Sequence, residues 1–483
     1  MALPDQREGD VNSSPNRADW AERVLGDATR VLLVRDEAVF LRQSLSTPCL
    51  SAIVKAEGSW IEDADGRRYL DFHGNSAHHV GYGHPKVLAA VERQMRTLPF
   101  APRRFTCDPA VTLAETLCAM VPGGPWKVLF APGGSEAVEI ALKIARLATG
   151  RFKTVSFWDS FHGAGFGAAS VGGEALFRSG GIGPLLPGTE HVAPFACYRC
   201  PYGFPSPGGT PDLDRCRMAC ARMTEYVLEC EGDVAAVVAE PIRAVPYLPP
   251  PGFWQEVRRA CDRTGALLIF DEIPTGLGKT GRFCAHEHVG VSPDVLVLGK
   301  ALGGGLLPIG AVLARADLDV MADKAIGHYT HEKNPVLAAA ALATLDVIVE
   351  EKLVARAAEL GEYFVERLQA MSGRFPIIGD IRGVGLLVGV ELTTSDGQPA
   401  VVEADRLLYA ALERGLSLKV TMGSVLTLSP PLTVSREDLD LALVILESCL
   451  EELGDVVSHS GTTATCLSRE PQPWRSPGAG SRE

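Results

Sequence analysis

Residues 266–305 read ALLIFDEIPTGLGKTGRFCAHEHVGVSPDVLVLGKALGGG. Two short apolar runs stand out, Ala266–Phe270 and Val295–Leu298. The first stops at Asp271-Glu272, and the second at Gly299-Lys300, just ahead of Gly303-Gly304-Gly305. A run of four or five apolar residues without polar alternation predicts a strand buried on both faces, as in a parallel sheet. The same grammar recurs upstream. Lys127–Ala131 precedes PGGSEA, Thr154–Trp158 precedes DSFHG, and Val234–Ala239 precedes Glu240-Pro241. Segments of helical character lie between the runs, which predicts an α/β fold with a mostly parallel sheet. In such sheets ligands sit beyond the carboxyl ends of the strands. Strand ends always meet polar loops, but five ends carrying Asp, Lys, Glu or glycine-rich chemistry make a candidate site.

Each end has its own chemistry. Pro132-Gly133-Gly134-Ser135-Glu136-Ala137 joins a strand to a helix with apolar positions at Ala137, Ile140, Ala141, Ile144 and Ala148. Glycines allow close approach of backbone N–H groups, and a helix N-terminus attracts phosphate. An ordinary Ser-capped helix start reads the same way. Two other phosphate motifs fail. Gly278-Lys279-Thr280 has Ile273 where a P-loop needs glycine, and Gly303-Gly304-Gly305 lacks the third glycine of a dinucleotide fingerprint. Asp271 closes an apolar strand, where a carboxylate needs a cationic or hydrogen-bonded partner. Lys300 closes the next one, and a lysine held in a cleft can serve as nucleophile or base. A lysine, a buried carboxylate and a phosphate loop together suggest pyridoxal phosphate (PLP).

Composition narrows the surroundings. The chain has 483 residues, with 46 Lys and Arg against 59 Asp and Glu, a formal net charge of −13. That balance disfavours a nucleic-acid partner. No apolar run is long enough to span a membrane, and the first residues lack a signal-peptide core, so the expected location is the cytoplasm. Residues 1–18 and 458–483 read as polar tails.

Beyond these readings, several stretches closely resemble the class III aminotransferases of PLP fold type I. They are the stretch quoted above with its continuation LLPIGAVLA, together with APGGSEAVEIALKIAR, FHG at 161–163, AEP at 239–241 and YTHEKNPVLAAAALATL at 329–345. The resemblance spans roughly residues 50–455. It implies an enzyme in which Lys300 carries the cofactor covalently and Asp271 pairs with the pyridine nitrogen. By it Gly134 and Ser135 hold the cofactor phosphate, Phe161 and His162 lie along the ring, and Glu240 lies near ring and substrate. Thr330 would reach the cofactor phosphate of a neighbouring subunit, implying a homodimer with shared sites. The expected division is an N-terminal segment 19–75 joining the small domain, a large PLP-binding domain 76–335 and a small α+β domain 336–457.

Departures from the family pattern bear on the substrate. Pro274 stands where the family usually has a glutamine against the cofactor's phenolic oxygen. Thr427 replaces an arginine that clamps substrate carboxylates two residues before the final xPPL, and Val420 stands where other members keep a mobile arginine. His331-Glu332-Lys333 replaces a run of roughly Phe-Gly-Gly. EIPTGLGKTG, GHYTHEKNP, CYRCPYG and APRRFT together resemble a subgroup that includes ammonia-lyases acting on 1-hydroxy-2-aminoethylphosphonate. In that setting Arg103, Arg104 and Lys419 are candidate ligands for a small amine bearing a phosphonate, and a solvated basic turn is the plainer reading of the two arginines. Asn75, with Ser76, His78 and His79 after DFHG, falls in a loop that lines the family's substrate site. An amine-to-keto-acid transaminase is the alternative activity.

Four of the twelve cysteines cluster as Cys197-x2-Cys200-x15-Cys216-x3-Cys220 in a Pro/Gly-rich insertion. Two close pairs suit a closed four-thiolate zinc site. Four thiols packed under a loop fit the spacing as well.

Overall fold

The computed structural model describes residues 14–44, 46–206 and 208–460. Residues 458–460 of the tail expected at 458–483 end the helix Arg436–Ser460, which corrects that part, while the rest of it and most of the tail expected at 1–18 lie outside the described residues. Within the latter, residues 15–18 are helical: Ser14 accepts from Arg17 N and Pro15 opens the helix Pro15–Val24. An N-cap and a proline at N1 together are a strong helix start, so this part of the expected tail is corrected.

A seven-stranded sheet organises the middle of the chain. Its order is Trp126–Ala131, Gly310–Arg315, Val295–Leu298, Leu267–Asp271, Val234–Ala239, Lys153–Phe157, Thr189–Val192. Gly310–Arg315 runs antiparallel to both neighbours, and the other contacts are parallel. Alternation along one strand shows how the sheet divides the core. Leu267 and Ile269 join a cluster with the helix Gly134–Thr149, while Leu268 and Phe270 join one with Phe253 and Trp254 on the other face. With apolar layers on both sides, the polar residues of these strands collect at their ends.

A second sheet is antiparallel, in the order Ile378–Val384, Leu387–Leu392, Val425–Leu428, Lys419–Thr421. The helical stretch after 335 is two helices, Pro335–Glu350 and Leu353–Ser372. Asn334 caps the first, and Lys352, with φ 53°, breaks the chain direction between them.

A third sheet joins distant parts of the chain. The hairpin of Trp60–Asp63 and Arg68–Asp71 pairs in parallel with Leu416–Ser417, in the register Leu416 to Leu70 and Ser417 to Asp71. Stitching continues beyond the strands: Phe72 N donates to Ser417 O, Ser429 N to Phe72 O, and Leu432 N to His79 O, each at 2.8 Å. These bonds fix the loop 73–79 against the C-terminal part of the chain.

Candidate active site

The carboxyl ends of the parallel strands converge. Lys300 follows Val295–Leu298 and opens the turn Lys300–Gly303 with φ 43°, a left-handed conformation that is strained for a side-chain-bearing residue. A Cβ on Gly299 would stand 3.3 Å from Ile273 and 3.7 Å from Gly134 Cα. The lysine turn, the segment after Asp271 and the glycine loop therefore meet. Across them lies the loop 73–79, since a Cβ on Gly305 would stand 3.3 Å from Ala77 O.

The glycine loop resolves the two readings of PGGSEA. The helix starts at Gly134, its N-cap is Gly133, and no side chain caps it. Ser135 sits inside the first turn, where its Oγ accepts from Ala164 N at 3.2 Å. Its own O–H remains available as a donor. Uncapped N–H groups and a serine hydroxyl are the donors a phosphate would need, and a Cβ on Gly134 would come within 2.9 Å of Ile273 Cδ1. The bond to Ala164 also ties the glycine loop to the Phe161-His162-Gly163 turn. The Phe161 ring is braced by Phe177 at 4.5 Å between centroids.

Asp271 is buried at the end of its strand. Its Oδ1 accepts from Ile273 N at 3.0 Å, and His162 Nδ1 lies 2.8 Å from its Oδ2. Glu240, at the end of Val234–Ala239, is also buried, and its carboxyl is pushed up to about 7, first by burial and then by the Asp271 charge. A fixed carboxylate, a lysine and an uncapped phosphate loop fit PLP: Asp271 would hold the pyridine nitrogen, Ser135 with the helix start the phosphate, and Lys300 the aldehyde carbon.

The other candidates divide. Lys419 lies directly opposite Thr427 in the antiparallel pair, so both face the same side. Thr427 is engaged there by Thr421, with 2.8 Å between hydroxyl oxygens. Lys419 also lies close to His73, which is pushed down to about 4 by burial and then by Lys419, with Lys300 adding to the effect. Asn75 is exposed in the loop, with φ 48°. His78 and His79 are buried, with Nε2 3.1 Å from Asp71 O and 3.3 Å from Gly276 O respectively. Both are pushed well below the ordinary histidine range by burial, as neutral structural groups are. Arg103 is tied to His328. Its Nη1 donates to His328 O at 3.0 Å, and its Nη2 lies 2.8 Å from His328 Nε2. Thr330 is exposed on the same loop, and Arg104 is exposed beside Arg103.

Cys197, Cys200, Cys216 and Cys220 line one cavity of about 20 Å³ with Phe195, Tyr202 and Phe204. Positive φ at Arg217 and Met218 folds the second pair back on itself. Burial pushes Cys197 up to about 11 and Cys220 up to about 12. Among the described residues the sole cluster of three ligand atoms within 4.8 Å is Glu272, Cys284 and His286, so the four thiols stand further apart than a closed site requires. Glu272 already accepts from Ala285 N, His286 N and the His286 ring, which makes it a structural lock on that turn.

Two buried cations escaped the sequence reading. Lys279 donates from Nζ to Pro430 O at 2.6 Å and anchors the SPPL turn. Its place in an apparent P-loop remnant drew attention to phosphate instead. Arg243, three residues after Glu240, is 3% exposed. The one signal for it is an arginine inside the otherwise apolar stretch EPIRAVPYLPP.

Comparison with known proteins agrees with this geometry. The aminotransferase class-III family model matches residues 42–450. The (R)-1-hydroxy-2-aminoethylphosphonate ammonia-lyase of Vibrio splendidus is 44% identical over 456 residues, covering 92% of this chain and 95% of that protein. The leucine/methionine racemase of Thermococcus litoralis is 36% identical over 434 residues, covering 87% and 95%. Among solved structures, an amine transaminase from an uncultivated Pseudomonas species in its PLP-bound form superposes with a TM-score of 0.78 at 31% identity, covering 83% of this chain and 95% of that one. A Bacillus anthracis aminotransferase gives a TM-score of 0.79 at 30% identity, covering 88% and 98%.

Proposed function

The chain belongs to the class-III aminotransferase family, and from that premise we propose that it is an ammonia-lyase acting on a small hydroxylated aminophosphonate of the 1-hydroxy-2-aminoethylphosphonate type. One observation carries the choice of substrate: the carboxylate clamp is missing. Thr427 is bound to Thr421, and Val420 is a buried aliphatic residue. In place of a planar arginine the same sheet face offers Lys419, a compact cation suited to a phosphonate oxygen.

When bound, PLP supplies an aldehyde for imine exchange with the substrate amine and a ring that accepts electrons from the neighbouring carbon. Lys300 removes the proton from the amine-bearing carbon. Asp271, held by His162, keeps the pyridine nitrogen protonated so that the electron pair has somewhere to go. Hydroxide would then leave the adjacent carbon with the C–O bonding pair, while the pair left by the proton forms the carbon–carbon double bond of an enamine. The released enamine becomes an imine, and water converts it to phosphonoacetaldehyde and ammonia. No amino acceptor enters this sequence. The decisive experiment is a turnover assay without any keto acid. Ammonia release in step with aldehyde supports the lyase. A requirement for pyruvate or 2-oxoglutarate, with alanine or glutamate as product, would make the enzyme a transaminase.

The reading extends to a cytoplasmic homodimer with shared sites. Arg103 and Thr330 are joined through His328, so whatever carries Thr330 to a neighbouring cofactor carries Arg103 and Arg104 with it. The arginines would then act on the partner's substrate. Loss of turnover on dilution below the dimer dissociation constant checks this. A structural zinc at Cys197, Cys200, Cys216 and Cys220 is part of the same proposal and would draw the four thiols inward on binding. Elemental analysis of chelator-free protein tests it, one zinc per chain being expected and none overturning it.

A further inference from the structure

Arg243 turns back from the end of the strand Val234–Ala239, its N donating to Tyr247 O at 3.1 Å. Its Nη2 donates to the backbone oxygen of Asp159, while its Nε and Nη1 have no hydrogen-bond partner. A guanidinium keeps its charge under all ordinary conditions, and each of its buried N–H groups without an acceptor is destabilising. Two such atoms on one residue call for an occupant.

Arg199 approaches the same place from the cysteine-rich insertion. Its Nε bonds Glu391 and its Nη1 donates to Gly397 O at 3.0 Å, which leaves Nη2 buried and unpartnered. Arg199 and Arg243 together line a cavity of about 90 Å³ with Asp159, Tyr247, Glu391 and Met422. The carboxylates on its wall do not satisfy the three free donors. Glu391 is paired with Arg199 and Arg382, and its Oε2 has no hydrogen-bond partner. Asp159 is pushed above the usual carboxylate range by burial, against the opposing pull of the Arg243 charge, and it forms no ion pair within 4 Å of either arginine among the described residues. The Tyr247 ring lies between Arg243 at 5.5 Å and Arg382 at 4.1 Å, which holds the guanidinium planes in place.

We propose that this cavity is a binding site for a small tetrahedral oxyanion, a phosphate or phosphonate group, held by one free N–H edge of Arg243 together with Arg199 Nη2. Planar, pre-oriented donors of this kind match such a group. The walls adjoin active-site residues along the chain, and the Arg243 charge acts on the Glu240 carboxyl. Asp159 precedes Phe161 by two residues, Arg243 follows Glu240 by three, and Met422 lies in the turn between Lys419–Thr421 and Val425–Leu428. Two sources share this chemistry: the head group of the aminophosphonate, which rests on the function proposed above, and free inorganic phosphate acting as an effector.

The test uses the PLP-loaded enzyme, so that the cofactor cradle is filled, and inorganic phosphate as the probe. Calorimetric titration at constant ionic strength should show one phosphate per chain. Arg243→Met should abolish that binding, and Arg199→Met should weaken it about tenfold, the loss of one charge-assisted contact. Each variant must keep its visible cofactor absorbance. Should Arg243→Met fail to fold, Arg199→Met and Arg243→Lys carry the comparison, since Arg199 is a quarter exposed at 26%. Competition between phosphate and substrate, with KM rising and kcat held in the variants, assigns the site to the head group. Phosphate binding without competition assigns it to an effector. No phosphate binding by the wild type, or equal binding by the arginine variants, overturns the proposal and leaves the cavity to water. Because binding is read without turnover, that failure is separate from a failure of the lyase reading.

Discussion

His162 Nδ1 lies 2.8 Å from Asp271 Oδ2, and both side chains are shut away from solvent. With Ile273 N on the other oxygen, the contact fixes the plane of the Asp271 carboxylate, and it joins the turn that carries Phe161 to the floor of the site. Asp271→Asn should therefore keep the cofactor but lose about three orders of magnitude in kcat, because an amide cannot hold a ring nitrogen protonated. Single-turnover kinetics on the loaded variant would show it. A rate within tenfold of wild type contradicts the role given to Asp271.

Lys300→Ala removes both the covalent attachment point and the proton carrier. The variant should lose the visible absorbance of bound cofactor and all measurable turnover. A yellow, active variant would mean that another lysine does this work.

Lys419→Ala tests the cation that stands opposite Thr427. Loss of one charge-assisted contact is expected to raise KM for the aminophosphonate by about tenfold or more, with kcat changed far less. Amines without a phosphonate should show no such rise. Equal effects on both kinds of substrate would show that Lys419 supports the sheet and does not bind the ligand.

Stability should fall in mild acid. His78 is pushed from its ordinary 6.5 down to about 4, first by burial. Between those two values the unfolded chain binds more protons at this position than the folded one does. The contribution is therefore complete above about pH 6.5 and is lost as pH drops toward 4. His73 is also pushed down to about 4 and acts in the same direction. Urea unfolding of wild type and His78→Asn at pH 7 and pH 5 checks this. The difference between the two pH values should be smaller in the variant, and an unchanged difference would exclude His78 as a contributor.

The strands Val234–Ala239 and Val295–Leu298 are legible in the sequence because burial on both faces leaves an unbroken apolar run. The chemistry at their ends is legible for the complementary reason, since polar residues have nowhere else to go. Strand direction carries no such mark, and Gly310–Arg315, antiparallel to both its neighbours, is as apolar as the parallel strands. The break at Lys352 between Pro335–Glu350 and Leu353–Ser372 carries no mark either, because apolar residues continue through it. At the site, Lys300, Asp271 and Ser135 announce themselves by position in the chain. The partners of Arg103 do not: its bond to His328 links residues far apart in sequence, and a basic dipeptide reads the same whether it faces substrate or a loop. Arg243 was invisible for that reason too, since its surroundings come from four separate segments.

The bonds that stitch residues 70–79 to residues 415–432 bear on how the molecule is made. Lys300, Asp271 and the glycine loop can all be in place on the seven-stranded sheet, whose last strand in the chain is Gly310–Arg315, before residues 415–432 are made. The loop over Lys300 cannot, for the strand and turns that pin it have not yet been synthesised. A nascent chain released before Leu432 would carry a finished cofactor floor beneath an open roof, so competence to bind PLP is expected to precede competence to process an amine during biosynthesis.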